Sequence, residues 1–269
     1  MKVHISIVNF RSADHLRNCL RNLSSQISKD IVLTIVDNSS ETGSVKYLAN
    51  KYHINYIPNS NVGFGAAHNH LLKDIDSDYF LILNPDVLVN FEINSFLMWM
   101  RNNRSYAIAS TKILNLDGIT EKSYSKVLTP LYAMICLSFL HKFEIFTRLK
   151  NEFWMTESHD NILETGFLSG AVMFFRADIF RKLGGFDERM FLYFEDNDIC
   201  KRTLDLGYKI AYNTEYVSTH LKHGSVVDAK LRYEIFTESR FYYLKKHFGL
   251  LFAFIVEGFL RLTEFKKYI

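Results

Sequence analysis

The stretch DYFLILNPDV, residues 78–87, decides how this chain is read. Its apolar run from Tyr79 to Leu83 has strand length and reads as a buried strand. It stops at Asn84, Pro85 and Asp86. One reading of that stop is a type I turn, with proline at its second position and aspartate at its third. The other is a strand end that aims a carboxylate at a hard cation, with Pro85 fixing φ behind it.

The residues before it repeat the pattern. VHISIVNF (3–10), DIVLTIVDN (30–38) and INYIPN (54–59) are strand candidates. SADHLRNCLRNLSSQ (12–26) opens with Ser12 as a cap and spaces Leu16, Cys19, Leu20 and Leu23 as on a helix. SVKYLANKY (44–52) and GFGAAHNHLLKDI (63–75) are further helices, the second opened by glycines. Strand–helix alternation predicts an α/β fold with a mostly parallel sheet and helices on both faces. Ligands of such sheets bind beyond the carboxyl ends of the strands. Asn9, Asp37, Asn38, Asn59, Asn61, Asn84 and Asp86 all stand at those ends. Turns favour Asn and Asp anyway, so each alone is weak. Side-chain acceptors at four strand ends point to a shared nucleotide-type site.

Residues 118–160 break the rhythm and read as helices with a loop. Order returns with GAVMFFR (170–176) as a strand, ADIFRKLGG (177–185) as a short helix, DNDICKRTLDLG (196–207) as a helix stopped by Gly207, and YKIAYN (208–213) as a strand.

Composition narrows the class. The 269 residues are 48% hydrophobic and 23% charged, ordinary for a folded α/β chain with a large core. A net charge of +3 is too small to argue for nucleic acid, but it suits contact with phosphates or anionic lipid. Cys19, Cys136 and Cys200 are isolated, which indicates neither a disulfide framework nor a zinc site and fits a reducing cytoplasm. The N-terminus reads as a first strand and not as a signal peptide. Residues 127–140 and 248–256 are free of charge. As helices each spans roughly 21 Å or less, short of a ~30 Å hydrocarbon core. The second, followed by Arg261, Lys266 and Lys267, is either a core helix with a solvated basic end or a helix lying in a membrane surface.

Three clusters carry chemistry. Asp86 suits Mg²⁺ or Mn²⁺, which takes few protein carboxylates and fills its remaining positions with phosphate oxygens and water. Glu195, Asp196 and Asp198 crowd a helix start, as caps or as a general base for a hydroxyl. His220 and His223 follow a strand, and an imidazole could complete a site begun by Asp86. Neither G-x-G-x-x-G nor G-K-[ST] occurs, which argues against dinucleotide oxidoreductases and P-loop ATPases.

In order, SIVNFRSADHLRNCL, IVDNSS, NVGFGAAHN, LNPDV, GFLSGAVMFFR, GGFDERMFLYFEDNDICKR, GYKIAYN and THLKHGS resemble the inverting family 2 glycosyltransferases of GT-A fold. The narrower likeness is to the rhamnosyltransferase branch of bacterial surface-polysaccharide (O-antigen) synthesis. The resemblance implies a GT-A domain over residues 1–225, split into a nucleotide-sugar half (1–117) and an acceptor half (118–225), with a helical extension at 226–269. It implies that Val8, Asn9 and Asp37 cradle the base, with Asn61, Gly63 and Gly65 near base and ribose. The family's D-x-D motif falls on Asn84–Pro85–Asp86, so asparagine replaces the first carboxylate and Asn84 joins the nucleotide site. Asp86 and His220 are the implied ligands of Mn²⁺ or Mg²⁺, with His223 as rival. Asp196 is the implied base, with Glu195 beside it and Asp198 capping the helix. Gly166, Phe167, Ser169 and Gly170 are expected to shape the acceptor site. The implied reaction moves a sugar, L-rhamnose from dTDP or another dTDP- or UDP-linked hexose, onto a polyprenyl-diphosphate-linked glycan. The implied location is the cytoplasmic face of the plasma membrane. The alternative in a different class is a non-catalytic nucleotide-binding partner, to which the Asn84 replacement would lend support.

Overall fold

The computed structural model describes residues 1–39, 43–156, 161–221 and 228–264. In chain order the strands and helices begin β1 (Val3–Asn9), α1 (Ala13–Leu23), β2 (Ile31–Asp37), α2 (Gly43–Tyr52), β3 (Asn55–Pro58), α3 (Phe64–Asn69), β4 (Tyr79–Leu83), β5 (Val87–Val89), α4 (Ile93–Asn102) and β6 (Tyr106–Leu114). They continue with β7 (Tyr124–Ser125), α5 (Pro130–Cys136), α6 (Thr147–Phe153), β8 (Ile162–Glu164), β9 (Phe167–Leu168), β10 (Val172–Arg176), α7 (Ala177–Lys182), α8 (Glu195–Asp205), β11 (Lys209–His220), α9 (Ala229–Phe248) and α10 (Leu250–Glu264). Short 3₁₀ turns at Phe139–Lys142 and Glu144–Phe146 link α5 to α6.

The main sheet runs β3-β2-β1-β4-β10-β6-β11-β5, with β8 on the side of β11. Pairing is parallel from β3 through β4 and again between β6 and β11. Antiparallel β10 lies between β4 and β6. The order reverses between β1 and β4, which opens a crevice at their carboxyl ends. Because β10 and β11 pair with β4 and β6, the two halves of the chain share one sheet.

The period-2 geometry of a strand explains the buried run in β4. Leu81 and Leu83 enter a core layer with α1, α2 and α4, while Phe80 and Ile82 enter the opposite layer with α3, α7 and α8. A third cluster joins α5, α6, α9 and α10 to Met190 and Phe194, just before α8. Within it, Arg240 of α9 makes a buried two-pronged pair with Glu257 of α10 at 2.6 and 3.0 Å.

Three local expectations change. Ser12 occupies the N-cap of α1, but its hydroxyl donates to the Phe10 carbonyl and caps nothing. The helix read over 63–75 is α-helical only to Asn69. Beyond it His70, Leu71, Leu72 and Asp74 bond three residues back. Asn69 is pinned there by Phe186, to which it both donates and accepts. Asp198 does not cap α8, because Arg202, Lys246 and His247 hold its carboxylate at 2.6–2.7 Å.

Candidate active site

The end of β1 meets the end of β2 in register, Asn9 opposite Asp37. Asn9 Nδ2 donates to Asp37 Oδ1 at 2.9 Å and to Ser39 Oγ at 3.1 Å. Tyr56 OH donates to Asp37 Oδ2, and burial together with that carboxylate pushes the phenol up to about 12. Asp37 is therefore buried and already held by protein donors. Among the described residues, buried Asn9 Oδ1 has no partner. A buried acceptor without a partner is costly unless a ligand satisfies it. Val8 precedes this pair and is buried apart from a small fraction.

Asn38 Nδ2 bridges to Asn61 Oδ1 and the Gly63 carbonyl. Gly63 has φ +97°, and a Cβ there would lie 2.3 Å from the Phe191 carbonyl oxygen. A Cβ on Gly65 would lie 2.7 Å from Phe186 Cβ. Both glycines let the third strand end approach the 186–191 segment closely. The contact that demands them is protein, a role the sequence reading did not give them.

At Asn84–Pro85–Asp86 the chain forms the turn. Val87 N–H bonds to the Asn84 carbonyl, closing a turn, and that turn presents Asp86. β5 pairs antiparallel with β11, Val87 opposite His220, and Leu221 N–H donates to the Asp86 carbonyl at 2.8 Å. The pairing brings Asp86 Oδ2 to 3.2 Å from His220 Nε2. The other ring nitrogen, Nδ1, is 3.0 Å from Glu121 Oε2. Burial raises the Asp86 carboxyl, but the hydrogen bond and charge of His220 outweigh it and hold it below the usual range. Burial lowers His220, but Asp86 and Glu121 outweigh that and hold the imidazole above its ordinary value. His223 lies outside the described residues.

The third cluster sits at the start of α8. Tyr193 and Phe194 both take left-handed φ, 68° and 65°, a costly turn for aromatic residues that leads straight into α8. Asp196 emerges half-buried, accepting from Gly170 N–H at 3.2 Å and from Asn197 N–H at 2.8 Å. Glu195 is only 4% exposed, and its Oε2 has no partner among the described residues. Burial and the neighbouring Asp196 charge raise Glu195 well above the usual carboxylate range. Burial also raises Asp196, against hydrogen bonds from Gly170 and Asn197. Glu195 is thus the more enclosed of the two carboxyls.

These clusters share one rim. Asn84 N–H donates to the Ala171 carbonyl, and the preceding residue, Gly170, donates to Asp196. Two hydrogen bonds and one peptide link therefore connect the Asp86 turn to Asp196. The loop around 166–170 divides in role. Gly166 packs on residues 126–127, where a Cβ would lie 2.1 Å from Val127 N, while Ser169 N–H bonds to Ser123. Phe167 pairs with Ser125 in the small β7–β9 sheet.

A profile of the family described as Glycosyl transferase family 2 matches residues 4–184. The chain belongs to glycosyl transferase family 2. It is a glycosyltransferase with a mixed α/β fold of the GT-A kind. The family match covers the rim from Asn9 to Gly170 and ends before Asp196 and His220. The chain is 24% identical over 230 residues to rhamnosyltransferase WbbL of Escherichia coli K12, covering 82% of this chain and 84% of that protein. It is 24% identical over 228 residues to the N-acetylglucosaminyl-diphospho-decaprenol L-rhamnosyltransferase of Mycobacterium tuberculosis, covering 76% and 71%. In fold it is similar to S. aureus TarS 1-349 solved with UDP-GlcNAc, at TM-score 0.58 and 14% identity, covering 100% of this chain and 76% of that one. It is also similar to GalNAc-T7 solved with UDP, GalNAc and Mn²⁺, at TM-score 0.60 and 11% identity, covering 84% and 44%.

The donor set of this family 2 chain can be tested against the divalent cation expected for it. Two adjacent ligands of an octahedral ion at ~2.1 Å stand roughly 3 Å apart. The Asp86–His220 separation of 3.2 Å suits that geometry. A metal-bound histidine commonly gives its other N–H to a carboxylate, the position Glu121 occupies. No group of three or more His, Cys, Asp or Glu side chains among the described residues forms a complete cage, so an ion here would depend on ligand oxygens as well. Glu121 escaped the sequence reading because it stands alone in a stretch without periodicity.

Proposed function

We propose that this glycosyltransferase inverts the anomeric centre of a nucleotide-linked sugar as it passes it to a lipid-linked glycan. The donor reading is dTDP-L-rhamnose, supported by the rhamnosyltransferase names of two relatives. The acceptor reading, a glycan on a polyprenyl diphosphate at the cytoplasmic face of the membrane, is supported by the diphospho-decaprenol in one of those names. The observation that carries the mechanism is the shared rim, with Asp86 and His220 on one side and Asp196 joined to it through Gly170 and Ala171.

Asn9, Asp37, Asn61 and Asn84 line the strand ends where the nucleotide would lie, and the partnerless Asn9 Oδ1 accepts a donor from it. Asp86 and His220 would hold Mn²⁺ or Mg²⁺, whose charge stabilises the departing nucleoside diphosphate. Asp196 takes the proton of the acceptor hydroxyl as its oxygen bonds to the anomeric carbon and the bond to the diphosphate breaks. Its raised proton affinity moves it toward the range of an effective base near neutral pH. Gly170 and Asn197 hold the carboxylate in one orientation. Burial raises the proton affinity of Glu195, which favours leaving the negative charge on Asp196.

A UDP-linked hexose is the second reading, favoured by the UDP and UDP-GlcNAc held in similar folds. Thermal unfolding with dTDP or UDP, each with and without Mn²⁺, separates the two. A metal-dependent rise with dTDP is expected, and a rise with UDP alone reassigns the donor. No rise with either removes the transferase mechanism and favours a lapsed enzyme.

A further inference from the structure

Helix α10 is apolar on both sides. Ala253, Val256 and Leu260 pack into the third core, and Glu257 is locked on Arg240. The opposite stripe, Leu251, Phe254, Ile255 and Leu262, is exposed, with Leu251 at 70% and Leu262 at 82%. Spacings of three, four and seven to eight residues place these side chains along one face. A contiguous apolar face of this kind on a water-soluble surface marks a contact site.

The helix has 15 residues, about 22 Å at 1.5 Å each, too short for a ~30 Å hydrocarbon core. No helix among the described residues is long and apolar enough to cross a membrane. Charge selects the occupant. From residue 245 to the end of α10 the acids are the buried Glu257 and the terminal Glu264, while exposed Lys245 and Arg261 lie toward the two ends of the apolar stripe. Helix α5 packs on α10 and on the 3₁₀ turn that follows α5. The 3₁₀ turns there expose Phe143 and Ile145 around an exposed Glu144, with Lys142 and Arg148 to either side. Aliphatic and aromatic side chains rimmed by cations match an anionic bilayer, with acyl chains under the helix and headgroup phosphates at its ends.

The geometry points to the outer face of α10, with the 143–145 tip, as the surface that seats this protein on an anionic membrane. The inference deepens the lipid-linked-acceptor reading above. It also gives the third core a purpose. That core joins α10 to Met190 and Phe194, so the membrane-facing unit is packed directly against the turn that presents Asp196.

The test is co-sedimentation of the full chain with vesicles of phosphatidylglycerol and phosphatidylethanolamine, without acceptor. The chain is expected in the pellet, and severalfold less with pure phosphatidylcholine or in high salt. The double variant L251E/F254E is expected to lose roughly tenfold or more of its partitioning. L262E, on the last turns, serves as an independent variant and should lose severalfold. In both, the thermal shift with nucleotide and Mn²⁺ should match the parent chain, which also shows that they fold. A parent chain that stays in the supernatant, or variants that bind vesicles undiminished, overturns the inference. So does light scattering that shows a dimer split by L251E/F254E, since a second copy would then cover the face. Vesicle binding without any nucleotide shift would keep the membrane face and sink the transferase mechanism instead.

Discussion

Asp86 and Asp196 stand on one rim, yet their surroundings drive them in opposite directions. Asp86 meets an imidazole at 3.2 Å, and the attraction keeps its carboxyl below the usual range despite burial. Asp196 meets a second carboxyl, Glu195, and burial raises both. The first arrangement suits holding a cation, and the second suits receiving a proton. When two carboxylates in one crevice differ this way, their roles can be assigned from their environments.

The largest expected effect breaks the proton-receiving side alone. Asp196→Asn should lower turnover roughly 10²- to 10⁴-fold, with the Mn²⁺-dependent nucleotide shift in melting temperature intact. Equal activity in steady-state assays would move the base elsewhere. Next comes the cation side. Glu121→Gln should weaken Mn²⁺ binding about 10- to 100-fold, read by the ion's magnetic resonance signal with nucleotide present, while nucleotide affinity without metal stays put. An unchanged Mn²⁺ affinity would leave Glu121 a merely structural partner.

Two smaller effects sharpen the contrast through pH. Asp86 is depressed below its ordinary 3.8, so its contribution is present above that value and lost as pH falls through the folded-state value. His220 is raised above 6.5, so its contribution is full below 6.5 and lost as pH rises through the folded-state value. The pair therefore stabilises most between those limits. The melting gap between the parent chain and His220→Ala should be widest near about pH 5–6 and shrink on either side. A gap that grows steadily up to pH 9 would contradict the pairing. Glu195 behaves oppositely to Asp86. Its raised value means stability is lost as pH climbs above the ordinary 4.5. Glu195→Gln should melt higher than the parent at pH 8, with the difference closing toward pH 4.5. A variant that melts lower at pH 8 would mean the carboxylate is charged and partnered.

Part of the proposed site is legible in single stretches. Asn9, Asp37, Asn84 and Asp86 declare themselves because each follows an apolar run, and the ends of parallel strands gather on one edge. Its local sequence makes Asp196 one of three acids at a helix start, and only the family resemblance singles it out as the implied base. Its separation from Glu195, the more enclosed of the two, depends on the left-handed turn at Tyr193 and Phe194. Asp198 reads locally as a cap, yet Lys246 and His247 of α9 draw it into an ion-pair network. Gly63 and Gly65 read as lying near base and ribose, and the structure adds that Phe191 and Phe186 crowd them. The neighbours of Asp198, Gly63 and Gly65 that no local window shows come from distant parts of the chain.

By itself, the sequence determined the alternation of strands and helices and the polar residues that terminate the strands. Periodicity and turn chemistry are local, so a window of a few residues carries them. The tertiary structure alone decided that His220 stands between Asp86 and Glu121, the latter 99 residues away in the chain, and that Glu195 is enclosed while Asp196 is not. Desolvation and Coulomb energy depend on what surrounds a group in space, and no run of neighbouring letters records that.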